Sequence, residues 1–162
     1  MRITTKGRYA LRAMTNLALS SIGKPKAIKT IAAEEDISPE FLEQIFFKLK
    51  KAGIIDSVRG PGGGFILSLD PASISVKAIF IAVDEGLDLT PCTSCNDEPP
   101  EVACDRIDDC LVHDLWKEAS NHISRFFEGI SLQRIVNDNR AKPSGDTKKL
   151  AEMVAGKSVL IG

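Results

Sequence analysis

Residues 36–53 read DISPEFLEQIFFKLKKAG, a turn running into a capped helix. Ser38 offers a side-chain oxygen to the free N–H groups of a first helical turn, and Pro39 suits the first helical position, where its missing N–H costs nothing. Leu42, Ile45, Phe46 and Leu49 then stand at i, i+3, i+4 and i+7, while Glu40, Glu43, Gln44, Phe47 and Lys51 fall on the opposite side and Gly53 ends the helix. Phe47 is the odd member of that polar side; packing on a neighbouring hairpin or helix would account for it.

Upstream, Tyr9, Ala10, Ala13, Met14, Leu17 and Ala18 recur at helical spacing over residues 8–20, ending near Gly23 and Pro25, and Ile28, Ile31 and Ala32 mark the buried side of a second, short helix. Downstream, the β-prone runs 54–58 (IIDSV) and 65–69 (FILSL) flank RGPGGG at 59–64, which predicts a hairpin. Three helices, the second and third joined by a tight turn, followed by a hairpin, is the element order of a winged helix-turn-helix, here residues 1–75. The glycine cluster is not a nucleotide loop, because Gly64 leads into an apolar strand and no Lys-Ser/Thr pair opens a helix. Arg59 beside Gly60 instead suits a wing whose arginine enters a narrow minor groove. On the third helix, Ser38, Glu43, Gln44 and Lys48 are candidates for the DNA face. Glutamate can accept from cytosine N4, glutamine can bracket adenine and lysine can grip phosphate.

Beyond the hairpin, Val76, Ile79, Phe80 and Val83 predict a fourth helix, and residues 76–110 form a unit of that helix and a cysteine-rich loop with Pro91, Pro99 and Pro100. Val112, Leu115, Trp116, Ala119, Ile123, Phe126, Phe127 and Ile130 mark a long helix in a region spanning 111–137, and Ser131 can cap a last short helix bearing Leu132, Ile135 and Val136. The broad apolar stripe of the long helix requires cover, and a second copy of the chain is favoured over folding back. Residues 138–162 are polar and breaker-rich and read as a flexible tail. The fold class is mainly α with a small β hairpin.

The chain has 162 residues, 43% hydrophobic and 27% charged, and no apolar run approaches the roughly 20 residues of a membrane span. A cytoplasmic protein with no membrane contact is expected. Net charge is −1, but residues 1–75 carry 11 Lys/Arg against 7 Asp/Glu, residues 76–139 carry 5 against 13, and residues 140–162 carry 5 against 2. A polyanion such as double-stranded operator DNA is therefore expected to meet the first half of the chain. No catalytic base, pocket motif or cofactor fingerprint supports an enzyme, and His113 and His122 are the chain's two histidines.

Cys92, Cys95, Cys104 and Cys110 are spaced C-x2-C-x8-C-x5-C, and His113 follows. Clustered cysteines in a reducing compartment point to metal before disulfides. Only Cys92 and Cys95 form the short pair that tight zinc sites prefer. Thiolates spread over a proline-bearing loop suit an iron–sulfur cluster, in which histidine can replace one thiolate. An iron–sulfur cluster, zinc and a redox disulfide all remain open on spacing, in that order.

Over residues 1–137 the chain resembles the family of the iron–sulfur cluster regulator IscR and its relatives, the nitric-oxide and iron sensors NsrR and RirA and the cysteine-metabolism regulator CymR. The signatures are MRITTKGRYA at 1–10, DISxxFLEQIF at 36–46, SVRGPGGGF at 57–65, AVDE at 82–85, and C-x5-C-x2-H-x-L-W from Cys104 to Trp116. The resemblance implies a homodimer formed through the long C-terminal helix, binding operator DNA. It places base reading on Glu43, neighbouring contacts on Ser38 and Gln44, and a minor-groove arginine on Arg59. Glu40 departs from the small hydroxyl residue usual there. The implied cluster ligands are Cys92, Cys104, Cys110 and His113, but the longer spacing before Cys104 leaves Cys92 or Cys95 as the first ligand and admits an all-cysteine set. Some NsrR-like relatives use an acidic residue near position 8 to hold a four-iron cluster. Arg8 cannot ligate iron, which favours 2Fe-2S over 4Fe-4S. A zinc-bound or cluster-free regulator of the same fold, acting through thiol oxidation or a partner protein, is the alternative.

Overall fold

The computed structural model describes residues 3–20, 23–93 and 104–140. The described elements are α1 (Thr5–Leu19), α2 (Ile28–Glu35), α3 (Pro39–Lys51), β1 (Ile55–Val58), β2 (Gly64–Leu67), α4 (Val76–Ala82), α5 (His113–Glu128) and α6 (Leu132–Arg140). Local chemistry sets their limits. Thr4 caps α1 by accepting from Gly7 N, Ser38 caps α3 by accepting from Phe41 N with Pro39 in the first turn, and Ser75 caps α4 by accepting from Ala78 N. The turn between α2 and α3 passes through Asp36 at φ 53°, a left-handed conformation that aspartate tolerates better than most residues.

The apolar faces read from the sequence meet in one core: Met14 and Leu17 of α1, Ile31 of α2, Leu42, Ile45, Phe46 and Leu49 of α3, and Ile55 of β1 are all nearly inaccessible. The two strands pair antiparallel, with Ile55 opposite Leu67 and Val58 opposite Gly64. A third short segment joins them. Lys26 and Phe65 exchange backbone hydrogen bonds at 3.0 and 2.9 Å, which places Lys26 on the sheet edge. Gly64 is required there, since a Cβ would run into the Lys26 carbonyl. Phe65 in turn stacks edge-on against Phe46 at 4.9 Å, locking the wing to α3.

The C-terminal part differs in extent from its sequence reading. Helix α6 returns to the first domain and buries Leu132 and Val136 in the core against α1. Its start is pinned by Val76 N to Ile130 O at 2.9 Å and Leu132 N to Ile74 O at 2.8 Å. It also runs on through Asp138 and Asn139 to Arg140, residues the sequence assigns to the tail. Side-chain pairs four apart, Gln133 with Asn137 at 2.8 Å and Arg134 with Asp138 at 4.0 Å, support those turns. A second apolar cluster joins Val76 and Phe80 of α4 to Leu87, with Phe127 packed edge-on against Phe80 at 5.2 Å. This fixes the C-terminal end of α5 to the domain. Residues 141–162, including the rest of the expected tail, and Cys95 lie outside the described residues.

Candidate nucleic-acid interface and cysteine loop

The outer face of α3 carries Glu43 and Gln44, both exposed, above the core formed by Leu42, Ile45, Phe46 and Leu49. Ser38 stands at its N-terminus, where its hydroxyl oxygen accepts from Phe41 N at 3.2 Å and its own proton remains free to donate. Phe47 is not packed away on the wing or another helix, contrary to the sequence expectation: it is 71% exposed. At 100° per residue Phe47 lies about 150° round the helix from the middle of the buried face formed by Leu42, Ile45, Phe46 and Leu49, and so points outward.

Arg59 and Gly60 are exposed at the start of the wing loop, with Gly60 at φ 106° and its carbonyl accepting from Gly63 N at 2.9 Å. The wing is tied to α3 by a cation that sequence reasoning passed over. Lys50 donates to Ser57 Oγ on β1 and lies 3.7 Å from Asp56 Oδ1. Lys48, the candidate phosphate contact, is half-exposed and pairs with Asp84 at the end of α4. Hydrogen bonding to Lys48 holds the Asp84 carboxyl below the usual carboxylate range. The same cation is thus bound within the chain and available at its surface.

Glu85, next to Asp84, is a buried carboxylate. It accepts from Thr4 N at 2.8 Å, Gly7 N at 3.2 Å and the Thr4 hydroxyl. These are the free donors at the positive end of α1, where a negative charge is favoured. Sequence reading missed this clamp; its one local signal was Gly7, a poor helix former three residues into a helix. Asp84 itself sits at φ 51°, so the chain turns sharply between its grip on α3 and its grip on α1.

The loop then runs to α5. Ser120, almost inaccessible, accepts from Leu89 N at 3.0 Å and shares a hydrogen bond with buried Thr93 at 3.2 Å. Thr90 bridges from Thr93 (3.2 Å) to the Cys92 sulfur (3.4 Å). Cys92 is therefore held beside the middle of α5. Cys104 and Cys110 each open a turn, with Ile107 N bonded to Cys104 O and His113 N to Cys110 O, both at 3.1 Å, and a third turn from Arg106 to Asp109 lies between them. Those turns deliver His113 to the first position of α5. Its Nδ1 is buried and has no hydrogen-bond partner among the described residues, an unusual condition for a buried polar atom and the one expected of a nitrogen meant for a ligand.

Cys92, Cys104 and Cys110 are free thiols. Together with the His113 nitrogen they are the right donors for iron or zinc. Among the described residues, no three His, Cys, Asp or Glu side chains converge closely enough to hold a metal ion. Ser120, which anchors the Cys92 turn, lies two helical turns from His113, about 10 Å along the axis. The donor types fit a cluster, although the described donors are not gathered at one point.

Helix α5 carries Leu115, Trp116 and Phe126 at 58%, 39% and 59% exposure, preceded by fully exposed Leu111. Of the apolar stripe seen in the sequence, Phe127 and Ile130 pack against the α4 cluster, whereas Leu115, Trp116 and Phe126 are not covered by the described residues of one chain. No helix among those residues is long and apolar enough to cross a membrane.

The Rrf2 family profile, described as iron-dependent transcriptional regulator, matches residues 3–138. The HTH-type transcriptional regulator IscR of Aliivibrio salmonicida is 41% identical over 150 residues, covering 93% of this chain and 86% of that protein. IscR of Vibrio cholerae is likewise 41% identical, covering 93% and 83%. Among solved structures, T. potens IscR superposes with a TM-score of 0.67 at 26% identity, over 91% of this chain and 96% of that one. CymR, the global cysteine regulator of B. subtilis, gives 0.66 at 27% identity over 85% and 97%.

Proposed function

Because the chain belongs to the Rrf2 family, and is a DNA-binding transcription regulator rather than an enzyme, we propose that it is a cytoplasmic homodimer whose loop between α4 and α5 holds an iron–sulfur cluster, 2Fe-2S rather than 4Fe-4S. The observation that carries this reading is the buried Nδ1 of His113, without a hydrogen-bond partner among the described residues, three residues beyond Cys110 at the head of the helix on which Leu115, Trp116 and Phe126 stand exposed. Cys104, Cys110 and His113 would hold the cluster, with Cys92 or Cys95 as the fourth ligand. Arg8 supports the two-iron form, since it offers no carboxylate and its guanidinium donates to Thr5 Oγ1 at 3.2 Å. A bound cluster would supply iron coordination and a redox-responsive link between segments that are otherwise separate.

The chain's own residues provide the connection from that loop to DNA. Asp84 grips Lys48 of α3, Glu85 grips the head of α1, and Leu89 and Thr93 grip Ser120 of α5. A shift of the loop is therefore felt at the recognition helix and at the face that pairs two copies, and two such helices must match half-sites about one DNA turn apart. At the interface, Glu43 and Gln44 read base edges, Ser38 and Lys48 hold phosphates, and Arg59 with Gly60 enters the minor groove. Stacking of Leu115, Trp116 and Phe126 against a second copy covers the stripe.

Anaerobic purification followed by iron, sulfide and zinc assay tests the cluster. About two irons and two sulfides per chain are expected, falling on His113→Ala substitution. Zinc, or no metal after anaerobic reconstitution, overturns it. Sedimentation of Trp116→Asp should show monomers, and an unchanged dimer would place the interface elsewhere.

A further inference from the structure

Phe47 stands at the centre of a face whose other members are polar. At 100° per residue it lies 40° from Glu43 and from Lys51, and 60° from Gln44, and it is 71% exposed. Its ring forms one wall of an open notch of about 320 Å³ between α3 and the wing, shared with Ile28, Phe46, Phe65, Glu43 and Lys50. An exposed ring amid carboxylate, amide and ammonium groups is poorly placed for water, and on a helix that enters the major groove the apolar feature it can meet is the thymine 5-methyl group. We propose that Phe47 is a specificity-determining residue that reads a thymine methyl in the operator. This rests on the reading of α3 as the recognition helix. Phe47 is displaced from Gln44 and Glu43 by about 4.5 and 6 Å along the helix axis, one to two base steps of about 3.4 Å. The thymine therefore lies within about two base pairs of the positions those two residues read.

The test uses the full-length protein, purified anaerobically, and a duplex that it selects from random-sequence DNA. Each thymine is replaced in turn by deoxyuridine, which lacks only the methyl group, and binding is followed by fluorescence anisotropy. Losing one buried methyl corresponds to about a fourfold weakening per half-site, or roughly fifteenfold when both half-sites are changed. The expected result is that loss at one thymine per half-site for the wild type and none for Phe47→Ser, which binds the unmodified duplex correspondingly less well. Phe47→Ser should keep the wild-type melting temperature, because the ring is outside the core. Equal binding of every deoxyuridine duplex by a protein that still discriminates bases elsewhere overturns the proposal and leaves the α3 interface standing. Retention of the full deoxyuridine effect by Phe47→Ser does the same. Failure to select any sequence at all overturns the interface reading, and this inference with it.

Discussion

Replacing Gly7 with alanine should destabilise this protein although the residue lies in a helix. Alanine in place of helical glycine ordinarily gains up to about 1 kcal/mol. Here a Cβ at position 7 would lie 2.6 Å from Glu85 Oε2, 2.7 Å from its Cδ and 2.9 Å from its Cγ. Glu85 would have to withdraw, loosening bonds now made from Thr4 N at 2.8 Å and Gly7 N at 3.2 Å. A hydrogen bond to a charged group contributes about 1.5–3 kcal/mol, and an overpacked methyl costs about 1–3 kcal/mol. Losing one such bond and straining the contact, less the helix gain, leaves a net loss of about 3 kcal/mol. For a chain of this size that is a fall of roughly 10 °C in melting temperature. The assay is thermal and urea denaturation of metal-free protein at one fixed concentration, because the melting point of a dimer depends on concentration. The same substitution in a Glu85→Ala background should be neutral or stabilising by up to about 1 kcal/mol, since the space is then open. If Gly7→Ala alone raises the melting temperature, or if its cost is undiminished without Glu85, the close approach is not what keeps glycine at this position.

Three further outcomes follow from the interface. Ser38→Ala removes the cap of α3 and should cost about 1 kcal/mol, lowering the melting temperature by about 2–4 °C; an unchanged melt means that the 3.2 Å bond to Phe41 N contributes nothing. Asp84→Asn releases Lys48, so binding at low salt should tighten and the slope of log K against log salt should steepen by about 0.9 for each phosphate newly contacted, an unchanged slope refuting the competition. Acid is a poor substitute for that mutation: the Asp84 carboxyl is lowered in the folded chain, so the pair persists at the ordinary aspartate value of about 3.9 and is lost only as pH falls through the lower folded value. Arg59→Ala should weaken operator binding about tenfold with no change in melting temperature, and gel shifts equal to wild type at physiological salt would show that the wing does not reach DNA.

Much of the fold was legible because its signals are short-range. The Ser38-Pro39 cap, the i, i+3, i+4, i+7 face of α3 and the glycine-proline wing loop each lie within one element, and the structure puts those elements at nearly the expected residues. The exposure of the candidate DNA-face residues Glu43 and Gln44 was legible for the same reason, since both lie opposite the buried face of their own helix. Phe47 shows where that reasoning stops: its position on the outer face was readable, but whether a neighbour covered it depended on how far the wing stood from the helix. Lys48 likewise read as a surface cation, and its attachment to Asp84 involves a residue 36 positions away.

Helix limits, the apolar stripe of α5 and the donor types of the cysteine loop follow from spacing and residue chemistry, because hydrogen bonds and caps within an element need only its own few residues. Contacts between elements follow a different rule. The seating of Glu85 against Gly7 joins residues 78 apart, the return of α6 to α1 adds Leu132 and Val136 to the core of the first three helices, and His113 Nδ1 comes to lie without a partner among the described residues only once the chain has folded around it. Periodicity says which side of a helix is apolar or charged. Which other surface meets that side is set by long-range packing, where many pairings of similar local quality compete and the whole core selects among them.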